Sequence, residues 1–352
     1  MRLVIGLIAS AALLAACGGG SGSDNNTDGN GSGPGTGTEQ TPNPNPNPNP
    51  NPGQGTQASL TQANYVAVAQ EALSANAYLL NSVDFVMGAQ VSDSQALLRV
   101  GEDQLAKARG WFARAPVATA AVHTESERCE NGGTLTLSIN DRNNNLELDG
   151  GDSVSIMANN CREGGDLLNG RLSITFHQVT GDPDGFPFTL SATLEYGNLS
   201  VQSAASQITG NGSVSLTYDA KSRSQQARSL TTPQFSASAT HGGQSTSQTL
   251  KNYEAALKVT PNGTLSDWAS SANGVLFSSS LQSKSIAIET RQPFVTLSSQ
   301  RYPGKGEATI TGAAGAKVRV TAVDAASVRI ELDADGNGIY ETSVTKPWGE
   351  LL

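Results

Sequence analysis

Residues 188–196 read Phe-Thr-Leu-Ser-Ala-Thr-Leu-Glu-Tyr. Every second side chain is apolar, and those between are Thr, Ser and Glu. Successive side chains of a β-strand point to opposite faces, so this stretch has one dry face and one wet face. The same alternation recurs at 133–139 (GTLTLSI), 153–158 (SVSIMA), 170–176 (GRLSITF), 212–218 (GSVSLTY) and 235–240 (FSASAT). It continues at 285–290 (SIAIET), 317–323 (KVRVTAV) and 327–332 (SVRIEL). Gly, Asn, Asp and Pro separate the runs, the chemistry of turns between half-buried antiparallel strands. The pattern predicts a mainly β fold: a large antiparallel β-sheet domain over residues 117–352, either a sandwich or a curved half-barrel. A loose unit of Asn-Gly followed by alternation recurs at Gly133, Gly170 and Gly212, too irregularly for a solenoid repeat. Aromatic residues make up only 5% of the chain, so the core is a light one.

Upstream, the period changes. Val66, Ala69, Leu73, Ala77, Leu80, Val83 and Met87 recur three and four apart, the mark of one apolar helical face. Thr61 is placed to cap this helix and Gly88 to end it. A second helix begins at Ser92 or Ser94, carries Leu97, Leu98, Leu105, Ala108 and Phe112, and stops before Pro116. Residues 58–116 are therefore expected to form a helical hairpin that packs on the sheet. Before it, residues 17–57 are rich in Gly, Ser and Asn and contain an alternating Pro-Asn run at 42–52. With nothing apolar to bury, this segment reads as an unfolded linker, and the prolines favour an extended polyproline II spacer of about 3.1 Å per residue.

The first residues supply an address. Met1-Arg2 is a short positive start, Leu3 to Leu14 is almost wholly apolar, and the run closes on Leu14-Ala15-Ala16-Cys17. The apolar run is too short to cross a bilayer as a helix, which takes ~20 residues. It matches a secretory leader over residues 1–16. The closing tetrad resembles the lipobox of bacterial lipoproteins. That resemblance implies cleavage before Cys17, a diacylglycerol on its sulfur, and attachment to a membrane through the acylated Cys17. Gly18, rather than an aspartate, follows the cysteine, which in Gram-negative lipoproteins implies the outer membrane, on its periplasmic face or at the cell surface. Export to an oxidising compartment makes the two remaining cysteines, Cys129 and Cys161, an expected disulfide. The net charge of −9 argues against nucleic acid and against electrostatic binding to anionic lipid. Nothing in the sequence names a protein or glycan partner.

Two acidic loops carry the only metal-binding pattern. In residues 141–152 (DRNNNLELDGGD), Asp141, Asn143, Asn145, Asp149 and Asp152 fall at positions one, three, five, nine and twelve of an EF-hand-style calcium loop. The carbonyl of Glu147 would serve at position seven. Calcium takes six to eight oxygens, which alternate side chains of a tight loop can supply. Leu146 departs from the pattern, since position six calls for glycine. In residues 333–341 (DADGNGIYE), Asp333, Asp335, Asn337 and Glu341 fit positions one, three, five and nine, and Gly338 fits position six. Val344 leaves position twelve without a carboxylate. Both loops also have the composition of hairpin turns, where Asn, Asp and Gly are favoured on backbone grounds. Calcium is the one cofactor the sequence suggests.

Catalytic motifs are not found: there is no GxSxG, HExxH or phosphate loop. His123 has Glu125 and Glu127 on its own strand face and reads as a solvated edge.

The segment from Cys129 to Cys161 (CENGGTLTLSINDRNNNLELDGGDSVSIMANNC) and the end of the chain (SVRIELDADGNGIYETSVTKPWGEL) resemble a set of uncharacterised proteobacterial outer-membrane-type lipoproteins. Those have a Cys-x-Gly-Gly start, an Asp/Asn loop, a closing Asn-Cys and a terminal acidic Gly-rich hairpin followed by Trp. The resemblance implies an envelope location and the disulfide, and carries no assigned activity. The sequence therefore points to a non-enzymatic envelope lipoprotein acting as a structural or binding module. The alternatives are a periplasmic lipid or lipoprotein carrier with an apolar groove, and a hydrolase.

Overall fold

The computed structural model describes residues 56–81, 122–163, 165–182, 185–204, 206–241 and 243–352. The expected leader, the expected lipidation site at Cys17, almost all of the expected spacer and the expected second helix of the hairpin lie outside the described residues.

Among the described residues one α-helix, α1 (Tyr65–Asn81), precedes fourteen strands. These are β1 (Val122–Arg128), β2 (Thr134–Asn140), β3 (Ser153–Glu163), β4 (Asp166–Gly181), β5 (Phe188–Gln202), β6 (Ser206–Ser222) and β7 (Gln225–His241). They continue as β8 (Gln244–Asn262), β9 (Leu265–Ser278), β10 (Lys284–Leu297), β11 (Lys305–Thr311), β12 (Lys317–Ala322), β13 (Ser327–Asp333) and β14 (Thr342–Pro347). All fourteen belong to one hydrogen-bonded sheet rather than two, in sequence order from β1 to β14. Every neighbouring pair is antiparallel. The sequence leaves β8, β9, β11 and β14 unassigned.

The alternation at 188–196 does what its chemistry demands. Phe188, Leu190, Ala192, Leu194 and Tyr196 are buried, while the residues between them are half-buried or exposed. Inward residues of β2 to β13 join α1 in a single apolar cluster. Helix α1 packs against β8 and β9 and also against β12 and β13, so the sheet curves round it. The buried side of α1 differs from the expected stripe: Tyr65, Val68, Ala69, Ala72 and Ala75 are buried, whereas Val66 and Leu73 are only partly so. Small side chains let the helix lie close to the sheet, and the bulkier ones pack at its flanks. The helix start is held through the Thr61 carbonyl, which accepts the N–H groups of Asn64 and Tyr65, while Thr61 N–H donates to Asn64 Oδ1.

The recurring Asn-Gly unit turns out to be a crease. The ladder slips between Ala158 and Cys161 of β3, between Tyr196 and Leu199 of β5, and between Lys251 and Glu254 of β8. Asn160, Asn198 and Asn252 sit in these bulges with φ of 48°, 51° and 44°. Opposite each bulge the neighbouring strand presents a glycine or lies tight against one. A Cβ on Gly170 would stand 2.3 Å from the carbonyl oxygen of Asn198, and one on Gly212 would stand 2.4 Å from that of Gln234. Gly274 and Gly306 meet Tyr253 and Phe294 in the same way. Bulges opposed by glycine bend long strands without breaking their pairing. The line runs across most of the sheet and supplies the bend that wraps it round α1.

The two margins are fastened differently. Cys129 and Cys161 form a disulfide with their Cα atoms 5.3 Å apart, tying the β1–β2 turn to β3. At the other margin Trp348 is fully buried, stacks on Tyr302 and meets Phe294 edge-on. Its Nε1–H donates to the carbonyls of Pro303 and Asp324, both at 3.1 Å.

Candidate metal centre

The loop at 141–152 joins β2 to β3. Its two ends are anchored inside the protein: Asp141 and Asp152 are both fully buried. Asp152 uses both oxygens as a clasp, Oδ1 accepting from Arg142 N–H at 2.9 Å and Oδ2 from Asp149 N–H at 2.8 Å. Its carboxyl pKa is raised, first by burial and further by the neighbouring charges of Asp149 and Asp141, although the two backbone N–H groups act against this. Three carboxylates thus share one loop at some electrostatic cost.

Inside the clasp, Asp141 Oδ2 accepts the N–H of Leu146 at 2.8 Å. Asn143 Oδ1 accepts from Asn145 N–H, and Asn145 Oδ1 from Glu147 N–H, so each odd position steers the residue two further on. The amide groups of Asn143 and Asn145 both donate to Asp149 Oδ2, at 2.7 and 2.8 Å. Asp141 Oδ1 and Asp149 Oδ1 are buried and have no hydrogen-bond partner. Leu146, the expected misfit, adopts φ 63°, the left-handed conformation in which glycine is favoured at position six. The sharp turn is therefore made without the glycine.

The loop at 333–341 joins β13 to β14 at the far margin. Asp333 is fully buried, and its carboxylate accepts N–H groups from Gly336, Asn337 and Gly338. Asp335 accepts from Asn337 N–H and Nδ2, Asn337 Oδ1 from Ile339 N–H, and Glu341 Oε2 from Ala334 N–H. Carboxylate oxygens of Asp333, Asp335 and Glu341 lie within 4.8 Å of one another, and Asp335 and Glu341 are exposed. A second such grouping, Cys129, Cys161 and Glu163, offers no thiolate because its sulfurs are bonded to each other.

One apolar recess was not anticipated at a particular place. It lies where the β9–β10 ladder opens between the Ile286–Leu276 and Phe294–Ser270 pairs. Across the gap Thr290 Oγ1 bridges to both the N–H and the carbonyl of Ala272. The recess has a volume of 120 Å³ and is lined by Leu73 of α1 together with Ile288, Phe294, Ile310, Val320 and Trp348, among others. The outer face is built differently. Cross-strand hydroxyl pairs such as Thr124–Ser138, Ser126–Thr136 and Ser236–Thr249 span it, and His177 Nε2 lies 2.8 Å from Thr193 Oγ1 on that same face.

Compared with protein-family models, curated proteins and solved structures, the chain finds no match.

Proposed function

We propose that this chain is a lipid-tethered protein of the bacterial outer membrane whose folded part is a non-enzymatic structural or binding module, a curved half-barrel closed on α1. The tether reading rests on the Leu-Ala-Ala-Cys17 ending of the leader, and the Cys129–Cys161 disulfide supports it, since such bonds persist in exported proteins. The spacer between Cys17 and the folded part would hold the module clear of the lipid.

The observation that carries the module reading is the filling of the interior. The inward faces of β2 to β13 and the small-residue side of α1 form one packed cluster. The recess beside Trp348 holds 120 Å³, close to a benzene-sized cavity of ~150 Å³ and well below the ~300–1,000 Å³ of ordinary ligand pockets. A carrier of acyl chains needs far more room. The outer face is rich in hydroxyl groups, which suits a surface held in water among other envelope components.

Replacing Cys17 by serine tests the tether. The variant is expected to move from the membrane pellet to the soluble fraction. Retention in the pellet would overturn the tether. On the same soluble variant, a titration with a fluorescent fatty acid is expected to show no saturable binding; saturation at one site would move the assignment to the carrier.

A further inference from the structure

We infer that the β2–β3 loop is a calcium site, held by the carboxylates of Asp141 and Asp149 and completed by oxygens of Asn143, Asn145 and the Glu147 main chain.

The loop has already met the conditions a calcium site imposes on its protein. Its first ligand position is fully buried, which a carboxylate tolerates only when its oxygens are hydrogen-bonded, ion-paired or bound to a cation. Asp141 satisfies half of that demand with the Leu146 N–H and leaves Oδ1 buried with no donor. Asp149 Oδ1 is in the same condition. Two buried, unpartnered carboxylate oxygens in one twelve-residue loop amount to an unmet demand for positive charge, because a buried acceptor left without a partner forfeits its hydration with nothing in exchange. The side chains of positions three and five converge on position nine, with both amide groups donating to Asp149. The positive end of each amide dipole thus stands against that carboxylate. Rotation of the two amides, which exchanges their bonds with the Asn145 and Glu147 N–H groups for a cation, would present oxygen in place of nitrogen and give the all-oxygen surroundings that calcium prefers. The turn at Leu146 bends the loop back so that its N–H reaches Asp141.

The β13–β14 loop is the internal control. It shares the composition, yet both oxygens of Asp333 are occupied by the loop's own N–H groups. Asp333 is thereby satisfied by its own turn, even though its oxygens lie within 4.8 Å of those of Asp335 and Glu341, and the loop is not part of the proposal.

The experiment is calorimetric titration of calcium chloride into the purified full chain after chelation, with Asp149→Asn and Asp335→Asn compared. One site is expected in the wild type, in the ~10⁻⁴–10⁻³ M range of extracellular modules. Asp149→Asn is expected to weaken it at least tenfold, and Asp335→Asn to leave it unchanged. Circular dichroism and peptide mapping of the Cys129–Cys161 linkage confirm that each variant is folded. If Asp149→Asn fails to fold, Asn143→Ala and Asn145→Ala together serve instead, with the same expectation. Absence of binding at millimolar calcium, unchanged binding in the loop variant, or loss of binding in Asp335→Asn would each overturn the proposal.

Discussion

The two margins of the sheet each end in an acidic hairpin loop, yet the loops dispose of their carboxylates in opposite ways. At the β13–β14 margin, Asp333 is buried and its oxygens receive three N–H groups from the five residues that follow it. At the β2–β3 margin, Asp141 is equally buried and one of its oxygens receives nothing. The difference lies in spacing. Gly336 and Gly338, with φ of 74° and 90°, fold the second loop tightly enough for its amides to turn back on Asp333. In the first loop only the Leu146 N–H reaches back to Asp141, and the side-chain amides of Asn143 and Asn145 turn to Asp149 instead. Similar letters thus make a self-sufficient turn in one place and leave carboxylate oxygens unanswered in the other.

The margins differ in their fastening as well, and that difference can be probed directly. The largest effect is expected from Trp348→Ala, which empties the packed corner against Phe294 and Tyr302 and strands two carbonyl acceptors. It should cost about 3–5 kcal/mol in chemical denaturation. A loss below about 1 kcal/mol would mean that the β10–β14 margin does not depend on this residue. Cys129→Ser in a Cys161→Ser background should cost somewhat less, about 3–4 kcal/mol for a closed loop of this length, measured against the oxidised parent. If the two substitutions unfold the protein in one shared transition, the margins belong to a single cooperative unit; two separated transitions would divide the sheet.

The smallest effect concerns acid. Burial raises the pKa of Glu331, but the hydrogen bond and charge of Arg319, with Arg329 beside it, outweigh that and leave it below the ordinary 4.5. Arg319 Nε lies 2.8 Å from Glu331 Oε2, and its guanidinium is 4.1 Å from the Tyr340 ring centroid. A group whose pKa is lowered by folding stabilises the native state above its unfolded value and loses that contribution as pH falls through the folded value. The β10–β14 margin should therefore weaken below about pH 4.5, and Arg319→Gln should flatten that acid limb in a pH series of melting temperatures. An unchanged limb would remove this ion pair from the account.

The strands that the sequence revealed are those whose outward residues are hydroxyl-bearing or charged, because alternation is visible only when the two faces contrast. β8 and β9 escaped for the opposite reason. In β8, Glu254, Ala255, Ala256 and Leu257 have the composition of a helix, and pairing with β7 and β9 on both sides overrides it. In β9, Trp268 to Ser271 are all half-buried, so no face stands out. For α1 the period was legible and the phase was not, since the large apolar residues suggested one stripe while the alanines beside it fit closer to the sheet. The candidate ligands were legible from spacing alone. Which of their oxygens would be left without a donor depends on backbone turns at Leu146 and Gly338, and no composition encodes that. The Asn-Gly unit was visible as a recurrence, but its meaning needs the neighbouring strand, because a glycine of one strand answers an asparagine bulge of the next.

Strand order has a consequence for how the chain assembles. Each strand finds its partner in the residues just before and just after it, so pairing can follow the order of synthesis, and no strand need wait for a remote one. The exception is α1, which is made before any strand and yet rests on β8, β9, β12 and β13. The earliest of the described elements to exist is among the last to be seated, and its alanine-rich side keeps little grease on display while it waits.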